Sequence, residues 1–265
     1  KGAVMLEIKD LSVIYSDKKI AVENFSLLLE KGKIISIVGE SGSGKSTVML
    51  SILGLLPSGG KIISGDILYE GKSLLKLDNK EWLNIRGTEI TMISQDSGGT
   101  LNPIRKIGKQ YVEYILAHEN ISRKEAEKKA VSFLEKVNLS NPENVMKSYP
   151  HQLSGGMKQR VGIAMALTFS PKIILADEPT SALDVTTQAQ IVKEIMELKE
   201  ELETGILLIT HNIGVASYMS DEIIVMQNGK IVDRGSRDEV IYNPGSSYTK
   251  KLLNSVPEME GERLV

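Results

Sequence analysis

Nine residues, Gly39-Glu40-Ser41-Gly42-Ser43-Gly44-Lys45-Ser46-Thr47, carry the clearest chemistry in this 265-residue chain. They follow an apolar run, Ile34-Ile35-Ser36-Ile37-Val38, and precede a helical one, Val48-Met49-Leu50-Ser51-Ile52-Leu53. A glycine-rich loop between a strand and a helix is the context in which backbone N–H groups wrap a phosphate at the positive end of the helix. Lys45 can then reach the β- and γ-phosphates of a nucleotide, and the Ser46 hydroxyl can ligate Mg²⁺. A second set lies where other apolar runs end. Ile173 to Ala176 leads into Asp177-Glu178, placing two carboxylates at a strand's carboxyl edge, where open α/β sheets bind ligands. Asp177 suits an outer Mg²⁺ contact and Glu178 suits the base that orients the attacking water. His211 follows Ile206 to Thr210 and can contact the γ-phosphate edge. His118 and His151 lack such placement; the first is read as surface or core, and the second is left unassigned.

A third run, Leu153-Ser154-Gly155-Gly156-Met157-Lys158-Gln159-Arg160, opens a helix through Ala164, Ala166 and Leu167. Ser154, Gly155 and Gly156 form a second anion-binding helix end, yet the chain has one lysine-bearing phosphate loop. Two-fold or pseudo-two-fold pairing resolves the surplus: each ATP lies between one subunit's loop and the other's Ser-Gly-Gly end. The plainer alternative is a helix N-cap whose glycines allow close packing.

These residues need elements to hold them. The first part reads as strands, Leu6 to Ile8, Leu11 to Tyr15 and Ala21 to Leu29, and Lys61 to Tyr69 is another β run. From about Ile104 to Leu167 the pattern is helical, with Ser122-Arg123-Lys124-Glu125 as a capping box and Ala126, Ala130, Phe133, Leu134 and Val137 along one packing face. Strand patterns return at Ile173, Ile206 and Ile223, and Asn228-Gly229 signals a type I′ hairpin. All-apolar strands separated by helices imply a buried parallel sheet, interrupted by a helical insertion.

Composition sets the outer bounds. A net charge of −2 gives no support to nucleic-acid binding. The absence of cysteine excludes disulfides and thiolate metal sites and fits a reducing compartment. Lys1-Gly2-Ala3-Val4-Met5 carries no secretory pattern, and the longest largely apolar stretch, Val161 to Phe169, is too short to span a bilayer, so a membrane role is expected to come through a partner.

Taken in order, the phosphate loop, Gln95, the Leu153 to Gln159 run, Asp177-Glu178, Ser181-Ala182-Leu183-Asp184 and His211 resemble the ATP-binding cassette family over nearly the whole chain. The resemblance implies ATP and Mg²⁺ as ligands, with Tyr15 stacking on adenine, Gln95 approaching Mg²⁺ and sensing a membrane partner, and Asp184 carrying contacts across a dimer. The implied fold is α/β: a P-loop NTPase core with a parallel sheet, an N-terminal antiparallel β subdomain and an inserted α-helical subdomain. Its expected segments are 1–95, 96–167 with the signature run, 168–240 for the rest of the core, and a tail, 241–265. Ile85 to Asp96, Leu101-Asn102-Pro103, Leu183 to Ile191 and Tyr248-Thr249-Lys250-Lys251-Leu252-Leu253 are similar to the oligopeptide, dipeptide and nickel importer branch. Membership there implies an ATPase subunit on the cytoplasmic face of the membrane, bound to permease subunits and served by an extracytoplasmic binding protein. Met157 looks like one of two unlike ATPases, so a heterodimer with a paralogue stands beside a homodimer. The chain lacks the branch's cysteine cluster, and Ser97-Gly98-Gly99-Thr100 replaces Pro-Met-Thr-Ser, which is expected to loosen the backbone there. Rival readings are a DNA-repair or ribosome-associated cassette ATPase, and a regulatory nucleotide-binding module. The first usually carries heptad insertions or a second cassette, and the second a damaged Lys45, Glu178 or signature; none of these is present.

Overall fold

Residues 34–38 are apolar on both faces apart from Ser36, a pattern that suits a strand covered on both sides, and all five are buried. The computed structural model describes residues 2–16, 19–181, 184–255, 258–259 and 262–263. Along the chain come β1 (Val4–Ile14), β2 (Ile20–Glu30), β3 (Ile34–Val38), α1 (Lys45–Ile52), β4 (Lys61–Tyr69), β5 (Lys72–Ser73), α2 (Asn79–Ile85) and β6 (Ile90–Ile93). Helices α3 (Ser97–Thr100), α4 (Ile107–His118), α5 (Arg123–Lys136), α6 (Pro142–Lys147) and α7 (Gly155–Leu167) follow. The chain continues through β7 (Ile173–Asp177), α8 (Val185–Leu202), β8 (Gly205–Thr210), α9 (Ile213–Met219), β9 (Glu222–Gln227), β10 (Lys230–Ser236), α10 (Arg237–Tyr242) and α11 (Ser247–Asn254). Two compact units emerge, Lys1–Asn79 with Glu203–Val265, and Lys80–Leu202.

In the first unit, β1 pairs antiparallel with both β2 and β4. Leu6, Ile8, Leu11 and Val13 of β1 are fully or almost fully buried, each such side chain contributing roughly 1.5–3 kcal/mol. This is the expected antiparallel subdomain. In the same unit β3 lies parallel between β8 and β9, while β10 closes antiparallel on β9. The turn into β10 has φ of 51° at Asn228 and 80° at Gly229, both left-handed, as the hairpin signal requires. Ser36, polar within the buried strand, is satisfied by the Ser220 hydroxyl.

In the second unit β6 and β7 pair in parallel, and α4 to α7 supply the helical subdomain. The capping box at the start of α5 forms with both of its bonds. Ala126, Ala130, Leu134 and Val137 are fully buried and Phe133 half-buried, so the stripe is packing surface.

Residues 97–100, where the glycine pair is expected to loosen the backbone, are placed as the helical turn α3, whose N-cap Asp96 accepts the Gly99 N–H at 2.9 Å. Small residues allow a close approach here: Gly98 lies under the Lys158 side chain, and Ser97 Oγ would meet a Cβ on Gly162 at 2.5 Å. The cap and these close approaches are the contacts that oppose the freedom of the glycine pair.

Candidate functional site

The loop after β3 can be built only with glycine at its ends. A Cβ on Gly39 would stand 2.2 Å from the Met226 carbonyl oxygen, and one on Gly44, at φ 103°, would stand 2.5 Å from that of Ala21. The Gly229 N–H donates to the Ser43 carbonyl at 3.0 Å, tying the loop to the β9–β10 turn. Gly44 caps α1 without a side chain, and no acidic residue occupies the helix's first turn. The first-turn N–H groups of Lys45, Ser46 and Thr47 therefore meet no side-chain cap, which suits an incoming anion. Lys45 is buried, and its Nζ donates to the carbonyl oxygens of Gly39 at 2.6 Å and Glu40 at 2.9 Å. Glu40, Ser41, Gly42 and Ser46 are exposed along the loop, whereas Ser43 is buried.

Tyr15 is half-buried beside this loop, its hydroxyl 3.2 Å from Thr47 Oγ1 and its ring against Gly60. Register places His211 at the same sheet edge: Val38 of β3 pairs with Thr210 of β8, so the residues that follow both strands emerge together. His211 is exposed there, and Asn212 beside it caps α9 by accepting from the Gly214 N–H at 2.9 Å.

The second unit makes an equivalent edge. Ile93 pairs with Ala176, which brings Gln95, two residues beyond β6, to the edge where Asp177 and Glu178 leave β7. Gln95 is exposed and both acids are half-buried. Glu178 has φ 44°, a left-handed conformation that costs a non-glycine residue about 1–2 kcal/mol and recurs at functional turns. The Ser181 N–H and hydroxyl both reach the Glu178 carbonyl at 3.2 Å and hold the turn.

Ser154 is exposed and caps α7 by accepting the Met157 N–H at 3.2 Å. Gly155 is exposed beside it, and Gly156 permits close packing, since a Cβ there would lie 2.9 Å from Thr187 Cγ2. Both readings of this run thus have a physical basis: it is a capped, close-packed helix end and it presents a hydroxyl to solvent. Asp184 caps the next helix, accepting the Thr187 N–H at 3.0 Å, and this bond holds its carboxyl below the usual carboxylate range. Ala182 and Leu183, between Ser181 and Asp184, lie outside the described residues, as do 256–257, 260–261 and 264–265 of the tail.

His118 belongs to packing, edge-on to Tyr114 and Phe169 at 5.4 and 5.3 Å, and burial lowers its pKa. His151 is exposed and stacks on Tyr149.

Several contacts behind the site escaped sequence reading. Gln159 of α7 reaches the Ser94 carbonyl at 3.3 Å, so the signature helix supports the turn that carries Gln95. Arg160 joins Glu194 of α8 at 2.9 Å, with 18% and 9% of the two side chains exposed, and also contacts the Asn138 carbonyl and Gln190. Desolvation raises the Glu194 pKa, against the pull of Arg160. Arg160→Ala leaves that carboxylate buried beside an empty space, and chemical denaturation should register a loss of roughly 2–4 kcal/mol. An unchanged midpoint would remove the pair from the stabilising interactions.

Comparison with known proteins comes down on one family. A model for the ABC transporter family matches residues 22–181. The chain is 46% identical to the oligopeptide transport ATP-binding protein OppD of Bacillus subtilis (strain 168), over 97% of this chain and 73% of that protein. It is 43% identical to the dipeptide transport ATP-binding protein DppD of Lactococcus lactis, over 98% and 76%. Among solved structures, cbiO1 of Clostridium perfringens, part of the cbiONQ transporter complex, superposes with a TM-score of 0.79 at 28% identity over 91% of this chain and 92% of that one. The dimeric ATP-binding cassette MJ0796, bound to ADP and Pi after hydrolysis, gives 0.77 at 31% identity over 88% and 99%.

Proposed function

The chain belongs to the ABC transporter family, and from that premise we propose that it is the ATP-hydrolysing subunit of an importer for peptides. The observation that carries the reading is the phosphate loop: glycine-only approaches at Gly39 and Gly44, an uncapped helix start, and Lys45 buried against the loop's own carbonyls. An ammonium held in this way moves from carbonyl oxygens to phosphate oxygens without crossing bulk water, so the loop is organised before ATP arrives.

Within this reading Lys45 neutralises the β- and γ-phosphates, Tyr15 offers its ring to adenine, and His211 meets the γ-phosphate edge. Glu178 accepts the proton of the attacking water, and Ser154 with Gly155 and Gly156 donates to the partner subunit's nucleotide. Ser46, Gln95 and Asp177 offer a hydroxyl, an amide and one carboxylate. Each is an oxygen donor of the kind Mg²⁺ takes, a hard cation that uses few protein ligands and shares substrate phosphates. Brought with the nucleotide, the ion would neutralise charge developing on the phosphate oxygens.

No helix among the described residues is long and apolar enough to cross a membrane. In this reading permease subunits form the passage, as family membership implies, and this chain lies peripherally on the cytoplasmic face. The names of the relatives favour oligopeptides or dipeptides over nickel complexes as cargo. The Met157 form of the signature favours a paralogous ATPase as the dimer partner. Reconstitution tests all of this: in proteoliposomes with permeases, second ATPase and binding protein, ATP turnover should rise when peptide-loaded binding protein is added. Full, cargo-independent turnover by the chain alone, with no permease or second ATPase co-purifying from its native membrane, would overturn the reading.

A further inference from the structure

The tail segment Tyr248-Thr249-Lys250-Lys251-Leu252-Leu253 has no part in the chemistry above, yet it lies against the phosphate loop within the same unit. Tyr248 of α11 is 7% exposed, and its phenol oxygen accepts the Glu40 N–H at 2.9 Å across 208 residues of sequence. That N–H shares its peptide group with the Gly39 carbonyl, which accepts Lys45 Nζ at 2.6 Å. One rigid peptide plane is thus held at its N–H by the tail and at its oxygen by the loop's lysine.

The tail is itself firmly seated. Asp233 Oδ2 accepts the Gly245 and Ser246 N–H groups at 2.8 and 3.0 Å, and Ser246 caps α11 by accepting the Thr249 N–H at 2.9 Å. Thr249 is fully buried. Tyr248 and Leu253 join a core cluster with Val38, which immediately precedes the loop, and Ile213, two residues after His211. Such packing leaves the phenol little freedom, so the orientation of the Gly39–Glu40 peptide is coupled to the seating of the C-terminal helix.

We propose that Tyr248 is a positioning residue for ATP binding, fixing through the Glu40 N–H the peptide whose carbonyl holds Lys45 in readiness for the phosphates. The proposal rests on the phosphate-loop reading above. Without the phenol oxygen the Glu40 N–H loses its acceptor and the loop samples other peptide orientations. Apparent affinity then falls with the fraction of loops that remain competent.

Tyr248→Phe keeps the ring in the core and removes only the oxygen. A hydrogen bond of ordinary net strength corresponds to about a three- to tenfold rise in the Kd of a fluorescent ATP analogue, with a parallel rise in KM and kcat changed less than about twofold. Amide exchange adds a readout that packing alone would not move: Glu40 N–H should be protected in the parent and exposed in the variant, and ATP should slow exchange in α11 only in the parent. Parent protein that fails to bind the analogue would sink the phosphate-loop reading itself. Parent that binds, beside a Phe variant with the same Kd and KM, would overturn the role of Tyr248 alone. So would a Glu40 amide that exchanges freely in the parent, a result that does not depend on the variant's folding.

Discussion

Glu178→Gln retains ATP and slows its turnover by about 10²- to 10⁴-fold, the usual loss when a positioned base is removed. Glutamine matches glutamate in shape, so the left-handed backbone at φ 44° and the Ser181 bonds to the residue 178 carbonyl stay in place. What changes is the ability to accept a proton from water. Single-turnover hydrolysis and equilibrium binding of ATP, measured on the same preparation, separate the two steps. Turnover within about threefold of the parent would remove Glu178 as the base. Lost affinity at normal single-turnover rate would instead place it among the binding groups. Glu178 leaves β7 at the strand's carboxyl edge, in register with the turn that carries Gln95, where open α/β sheets bind their ligands.

Much of this site could be read from local sequence because local physics dictates it. Gly39 and Gly44 stand where a Cβ would strike a carbonyl, and Ser122 with Glu125 forms its capping box from residues three apart. The apolar residues on both faces of β3 announce burial on both sides, and the pairing of Val38 with Thr210 then carries His211 to the loop's edge. Long-range bonds left no such trace. Nothing near Glu40 signals that its N–H is taken by a phenol 208 residues away, and nothing near Arg160 names Glu194 as its partner. Ser97 to Thr100 combines both kinds of signal: the Asp96 cap lies three residues from its donor and is visible in the sequence, whereas the approaches to Lys158 and Gly162 of α7 are tertiary and are not.

Ser154→Arg, introduced beside Glu178→Gln, abolishes the ATP-dependent dimer while each monomer still binds ATP. Ser154 is exposed at the start of α7, so a long cation there meets the partner subunit before the helix end can close on a nucleotide. The substitution also removes the cap on the Met157 N–H, at a cost of about 1 kcal/mol, and that alone could disturb the helix. Ser154→Asp resolves the ambiguity. Aspartate caps as well as serine, yet it sets a negative charge against the partner's phosphates, and like charges in contact cost several kcal/mol. Dimerisation should weaken about 100-fold or more in both variants, with monomer affinity for ATP unchanged. Light scattering with ATP reads the mass directly. A dimer that survives both substitutions would mean that the Ser-Gly-Gly end serves its own helix alone, and the surplus anion site that called for two-fold pairing would have no function. A dimer lost with arginine but kept with aspartate would exclude a phosphate-facing role for the residue 154 side chain, and Ser154→Ala, which removes the cap on the Met157 N–H without adding bulk, would then separate the missing cap from the steric block.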